Sequence, residues 1–227
     1  MRNIAVILGA GNGTRMKADR SKLLLEISGK TVLKRTVEIF SKADCIDEII
    51  VVCRENDLDD FEKVLSDYEL SYCFGGATRQ ESVKNAVATI EDGECDLIVI
   101  HDGARPLITQ KEIADTVNLA KDKGAAAVGV PVKDTIKVVD SEMKIVDTPD
   151  RSALISIRTP QIFAFDMYKE ALSLAEKQGR DFTDDCQLVE NLGKPVYTVC
   201  GDYGNIKITT PEDIPTAESI LKMRGEV

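Results

Sequence analysis

Short, nearly continuous apolar runs alternating with amphipathic stretches limit this chain to few architectures. Residues 4–8, 48–53, 97–101 and 126–130 are such runs, and residues 70–74 read as a further strand. Between them, residues 31–42, 57–65, 79–90 and 110–123 have apolar side chains at helical spacing, for example Val83, Ala86, Val87 and Ile90. Strands apolar on both faces must be covered on both faces, and amphipathic helices between them supply the cover. The pattern therefore predicts an α/β fold with a mostly parallel sheet and helices on both sides. Right-handed crossovers place the loops that follow the strands along one edge of the sheet, where ligands bind in such folds. Loops 9–22, 75–82 and 102–106 are expected to meet there.

The rhythm breaks in the middle. Residues 134–139 and 144–147 are short alternating segments around Asp140-Ser141-Glu142, which predicts a hairpin or protruding β-arm. An isolated hairpin is marginal in water, so it packs either on a second subunit or back on its own domain. With no repeat, low-complexity tract or linker, residues 1–227 are expected to form one domain carrying an arm at about 134–152.

Composition excludes several classes of function. With 29 Lys plus Arg against 39 Asp plus Glu, the net charge is −10, which argues against general binding to nucleic acid or an anionic membrane. No apolar run reaches the ~18 residues of a membrane helix, and the first apolar stretch is too short for a secretory signal. The six cysteines form no C-x-x-C pair and His101 is the only histidine, so neither a Cys/His zinc site nor a Ser-His-Asp hydrolase has support. Cys53, Cys73 and Cys200 read as small buried thiols in strands, and dispersed thiols fit a cytoplasmic location.

Three loops carry chemistry. Gly9-Ala10-Gly11-Asn12-Gly13-Thr14-Arg15-Met16, with Lys22 beyond it, sets backbone N–H groups and two cations beside one another. It lacks the third glycine of a dinucleotide fingerprint and the G-K-[ST] of a Walker loop. Its cations suit a triphosphate, although an ordinary glycine turn with solvated cations would read the same. Gly75-Gly76-Ala77-Thr78-Arg79-Gln80-Glu81-Ser82 allows close approach to backbone and opens a helix. His101-Asp102-Gly103-Ala104-Arg105-Pro106 sets an acid and a base at the mouth of a central strand. Each, taken singly, is also compatible with a plain loop.

In order along the chain, G-x-G-x-R-M, G-G-x-x-R-x-x-S-V, H-D-x-A-R-P, P-V-K-D-T-I-K, T-P-Q-x-F, T-D-D and N-I-K-I-T-x-P-E-D span residues 4 to about 218. This set resembles the 2-C-methyl-D-erythritol 4-phosphate cytidylyltransferase family of the non-mevalonate isoprenoid pathway. The resemblance implies a Rossmann-like nucleotidyltransferase fold, a homodimer joined through the arm, and transfer of a cytidylyl group from CTP to an alditol phosphate with Mg²⁺. It further implies that Arg15 and Lys22 stabilise the transition state and that Arg151 and Lys207 position the substrate phosphate. Ala10, Gly11, Gly13, Gly76 and Ser82 then fall in the CTP site, and Asp102, Arg105, Thr135, Thr159 and Thr183 at substrate-contacting positions. Asp102 is the one candidate metal ligand. Three positions depart from the family pattern: Ser21-Lys22-Leu23 replaces P-K-Q, Gly103 stands where alanine is common, and Arg158 stands where glutamine is usual. Ribitol 5-phosphate remains an alternative acceptor; a sugar-1-phosphate nucleotidyltransferase and a non-catalytic nucleotide-binding module are more distant readings.

Overall fold

The structure is a computed structural model and describes residues 1–11 and 21–226. In its first half β1 (Asn3–Leu8) is followed by a small antiparallel pair, β2 (Glu26–Ile27) and β3 (Lys30–Thr31), and then by α1 (Val32–Ser41) and β4 (Glu48–Cys53). α2 (Leu58–Val64), β5 (Ser71–Phe74), α3 (Arg79–Val87) and β6 (Leu97–Asp102) complete it. The second half runs through α4 (Gln110–Lys123), β7 (Ala125–Pro131), β8 (Val138–Val139), β9 (Ile145–Asp147) and β10 (Ile155–Ala164). It ends with α5 (Phe165–Gln178), α6 (Asp185–Asn191), β11 (Tyr197–Cys200) and α7 (Asp213–Arg224). Among the described residues no helix is long and apolar enough to cross a membrane.

Seven strands form one sheet in the order β11-β7-β10-β6-β1-β4-β5. β1 pairs parallel with β4 and β6, β4 with β5, and β7 with β11. Strand alternation sends successive side chains to opposite faces. In β1, Ala5 and Ile7 join one core while Ile4 and Val6 join the other. The first core is closed by α1, α2, α4 and α7 through residues such as Phe40, Phe61, Val117 and Leu221, and the second by α3, α5 and α6 through Val83, Tyr168 and Leu188. This double cover is why the strands read as continuous apolar runs. The helices are bounded as their sequences suggest: α4 begins with a capping box between Thr109 and Glu112 and ends at Gly124, which takes the left-handed conformation (φ 84°).

β10 differs from the sequence reading. It inserts antiparallel between β6 and β7, so a strand far along the chain separates two parallel neighbours. Its T-P-Q segment hid it, because Pro160 has no N–H to give a ladder. The pairing with β7 accommodates this by a register shift between Ile157 and Gln161. The arm is present as β8–β9, shorter than expected, with Val138, Val139, Met143, Ile145 and Val146 exposed. Cys53 is buried as expected, but Cys73 is only half-buried and Cys200 is exposed, since β5 and β11 are edge strands.

Phe163 of β10 is fully buried and stacks on Tyr168 at 5.2 Å between ring centroids. Phe163→Ala is expected to lower the unfolding free energy by about 3–5 kcal/mol. Urea denaturation with an unchanged m-value checks this; a loss under about 1 kcal/mol would mean that β10 contributes little to the core.

Candidate active site

From β1 the chain builds outward to β4 and β5 on one side, then returns to β6 on the other. The crevice of an open parallel sheet lies at such a reversal, beyond the carboxyl ends of the strands. Backbone hydrogen bonds carry the strand ladders on into the three loops: Gly9 N–H donates to the Val52 carbonyl (2.7 Å), Gly75 N–H to Cys53 (2.9 Å) and Gly103 N–H to Leu8 (2.9 Å). Side chains are excluded at the tightest crossings. A Cβ on Gly9 would lie 2.7 Å from the Val52 carbonyl oxygen, and one on Gly75 would lie 2.4 Å from Cβ of Ala10. The loops enclose a cavity of about 270 Å³, lined by residues that include Ala10, Gly11, Lys22, Gly76, Asp102 and Lys207.

Its electrostatic centre is Asp102, the last residue of β6. Lys207 Nζ lies 2.7 Å from one carboxylate oxygen, and the guanidinium Nε atoms of Arg105 and Arg79 lie 3.6 and 3.8 Å away. Burial would raise the carboxyl pKa, but Lys207, Arg79 and Arg105 outweigh it and hold Asp102 well below the usual carboxylate range. Arg79 is itself gripped from behind by buried Asp185, at 2.7 Å. Burial opposes its charge, yet Asp185 and Asp102 together raise its pKa. Tyr168 Oη donates to Asp185 at 2.6 Å, and Gln161 Oε1 accepts the N–H groups of Asp185 and Cys186, fixing that acid at the start of α6.

Behind Asp102 sits His101, fully buried. Its Nε2 is 3.1 Å from the Arg105 carbonyl, which only accepts, so Nε2 carries the proton. Nδ1 then accepts from the Thr159 hydroxyl (3.0 Å), while that same oxygen accepts the Asp102 N–H (3.0 Å). The histidine braces the loop from inside and has no path to a substrate proton.

The chain matches the model of the family described as 2-C-methyl-D-erythritol 4-phosphate cytidylyltransferase over residues 3–223. The chain belongs to that family. It is 42% identical to the Clostridium perfringens enzyme of that name over 223 residues, covering 96% of this chain and 98% of the other. It is 45% identical to that of Caldanaerobacter subterraneus subsp. tengcongensis over 226 residues, with the same coverage. A crystal structure of 4-diphosphocytidyl-2C-methyl-D-erythritol synthase from Anaerococcus prevotii superposes with a TM-score of 0.87 at 33% identity, covering 97% of this chain and 96% of that one.

The cytidylyltransferase pocket brings together several residues that the sequence suggested and leaves others apart. Ala10, Gly11, Lys22, Gly76, Ser82, Asp102 and Lys207 line it. Arg105 abuts it through Asp102. Arg15 and Gly13 lie outside the described residues. The Ser82 hydroxyl accepts from Gly76 N–H and donates to the Thr78 carbonyl, so it shapes the Gly-Gly turn. Thr183 is exposed, its hydroxyl 3.2 Å from Gln187 Oε1. Arg151 and Thr135 belong to the arm region. Arg151 donates to the Lys133 carbonyl (2.8 Å) and lines a separate depression with Val132, Lys133 and Ser152. Arg79 and Asp185 stand in the G-G-x-x-R-x-x-S-V and T-D-D motifs, but neither was among the expected site residues. One signal was available: Arg79 is the first residue of α3, where the helix dipole disfavours a cation unless carboxylates hold it.

Burial drives the His101 imidazole down to about 4, whereas in the unfolded chain it titrates near ~6.5. Between these values the unfolded chain holds a proton that the fold refuses. Stability therefore falls as the pH drops through that window, by about 3 kcal/mol at most. Below ~3.9 the Asp102 carboxylate, held low in the fold, adds a loss of the same sign. Unfolding free energies measured from pH 7 to 4 are expected to slope less in His101→Asn than in the parent chain. Equal slopes would show that His101 is not the titrating group.

Proposed function

We propose that the chain works as a single nucleotidyltransferase domain that transfers the cytidylyl group of CTP to 2-C-methyl-D-erythritol 4-phosphate, forming the CDP-linked product and pyrophosphate. The observation that carries this reading is the cavity at the sheet's reversal point, where a glycine turn faces Asp102, Lys207, Lys22 and Arg79. Around it the cations outnumber the carboxylates although the chain as a whole is acidic. Local charge dominates within a Debye length of ~8 Å, so the pocket attracts phosphates in spite of the net charge.

The acceptor phosphate is largely a dianion near pH 7, its second pKa being ~6, and it needs no base. One of its oxygens attacks the α-phosphorus of CTP in line. A new P–O bond forms, the bond from the α-phosphorus to the bridging oxygen breaks, and pyrophosphate leaves with that electron pair. Catalysis is mainly positioning and charge stabilisation. Lys22 and Arg15 act on charge developing at the α-phosphoryl group, and Lys207 and Arg151 hold the acceptor phosphate. Thr159 supports Asp102; Arg105 and, from their exposed loops, Thr135 and Thr183 complete the acceptor side. Gly76 and the turn shaped by Ser82 form the base-side wall, and Gly11 and Gly13 are assigned to the triphosphate side.

Among the described residues no cluster of three His, Cys, Asp or Glu side chains forms a metal cage. Asp102, the one carboxylate among the described residues that line the cavity, fits as protein ligand of Mg²⁺ that arrives on the nucleotide phosphates, since Mg²⁺ is commonly held by one or two carboxylates plus substrate oxygens. Bound there, it would neutralise triphosphate charge.

The arm supports a homodimer. Its strands leave Ile145 58% and Val146 56% exposed, an apolar surface that a second subunit would cover. Arg151 at its base would then serve the partner's pocket.

Pyrophosphate release is expected with CTP and 2-C-methyl-D-erythritol 4-phosphate, and only weakly with ribitol 5-phosphate or with ATP, GTP or UTP. Equal turnover with ATP and CTP would refute the base selectivity. Lys22→Ala is expected to lower kcat by about 10²–10³-fold, the loss typical of a donor that tightens on the transition state. A rise in KM alone would make Lys22 a simple binder. Mixing Arg15→Ala with Arg151→Ala subunits tests the shared site. Heterodimers, verified by native mass spectrometry, should recover toward half of parental activity, because one of their two sites carries neither lesion. No recovery would assign Arg151 to its own subunit.

A further inference from the structure

Lys207 reaches Asp102 from a strap that crosses the edge of the site, residues 201–208. The far end of this strap is fixed to the site: Ile208 N–H donates to the Ala104 carbonyl (2.8 Å), and Lys22 Nζ donates to the Ile208 carbonyl (2.8 Å). The near end has no regular partner strand beyond Cys200; apart from the Asn205 N–H, which donates to the Asp202 carbonyl (3.1 Å), the donors to the carbonyls of Asp202, Tyr203 and Asn205 come from elsewhere. Arg158 of β10 supplies them. Its Nη1 lies 3.0 Å from the Asp202 carbonyl, 3.1 Å from Tyr203 and 2.8 Å from Asn205. Arg105 Nη1 reaches the same Asn205 carbonyl at 2.9 Å, and the fully buried Asn205 side chain donates to the Thr159 carbonyl at 3.0 Å. Glu112 Oε1 accepts the Asp202 N–H (2.9 Å), which places a carboxylate beside the guanidinium.

Two guanidinium groups thus converge on one backbone oxygen two residues before Lys207. The three contacts come from one guanidinium nitrogen, and a glutamine amide at this position could offer them only without charge assistance and so more weakly. We propose that Arg158 is a positioning residue of this chain: it fixes the carbonyls of 202–205 so that the Lys207 ammonium stands at the acceptor-phosphate side of the pocket. Arg158 touches no reacting atom. It acts through Lys207, and the proposal rests on the role given to Lys207 above.

A double-mutant cycle with Arg158→Ala and Lys207→Ala tests this, read by pyrophosphate release with the acceptor varied at saturating CTP and, separately, with CTP varied at saturating acceptor. Arg158→Ala is expected to lower kcat/KM for the acceptor by about 10- to 100-fold, the range for hydrogen bonds from a charged group. The KM for CTP should change less than about twofold, a split that general loosening of the fold would not produce. In the Lys207→Ala background the same change should cost under about threefold, since the residue it positions is gone. Arg158→Lys should recover part of the loss. If Arg158→Ala folds poorly, as judged by its melting temperature, Arg158→Gln carries the cycle with the same expectations. Equal losses in both backgrounds, no loss at all, or an equal rise in both KM values would overturn the proposal and leave the transferase reading standing. Parental kinetics in Lys207→Ala would instead overturn the role of Lys207, and the proposal with it.

Discussion

Asp102 ends a central strand with a buried carboxylate faced by three cations, and the surroundings of the pocket follow from how those cations are held. Burial alone would raise the pKa of a carboxylate in that position; the cations outweigh it and keep it charged. The converse also holds. Arg79, Arg105 and Lys207 repel one another, and their approach is tolerable only because Asp102 lies between them and Asp185 backs Arg79. The arrangement retains surplus positive charge in a partly enclosed space. Preorganised charge of this kind stabilises phosphoryl transfer without reorganising during the reaction.

The supports differ in kind. Strand ladders extend by single backbone bonds at Gly9, Gly75 and Gly103, which fixes the loop roots to the rigid sheet. Side chains around the pocket fix the rest. Thr36 of α1 donates to the Gly103 carbonyl, and His101 and Thr159 hold the Asp102 loop from within. Arg158 and Arg105 hold the strap that carries Lys207. Buried polar groups of this sort contribute modestly to stability when paired and are costly to leave unpaired. Their value here lies in geometry more than in net stabilisation.

Much was legible in the chain. Five of the sheet's strands and four helices follow from apolar runs and helical spacing, because a doubly covered parallel sheet leaves a strong pattern. The three loops that enclose the cavity were legible for the same reason: once strands are parallel, their carboxyl ends share an edge. The chemistry of Lys22 and Asp102 was visible as charge beside glycine. What stayed hidden was whatever depended on a partner distant in sequence. Arg79 stood in a quoted motif with no role assigned, and nothing near it announced that it pairs with Asp185. Arg158 looked like a departure from a motif, because the carbonyls it serves lie more than forty residues away.

The sequence by itself determined the class of fold, the family, and the kinds of residue at the site, since periodicity and local motifs are properties of neighbouring positions. Tertiary structure decided the rest. It placed β10 antiparallel between β6 and β7 despite Pro160, because the sheet could shift register there and bury Phe163 and Ile162. It sealed His101 as a neutral brace, and it set Arg151 in a depression apart from the pocket that holds Lys22 and Lys207. Burial, charge balance and hydrogen-bond partnership are set by where the chain returns in space, and no local pattern encodes that return.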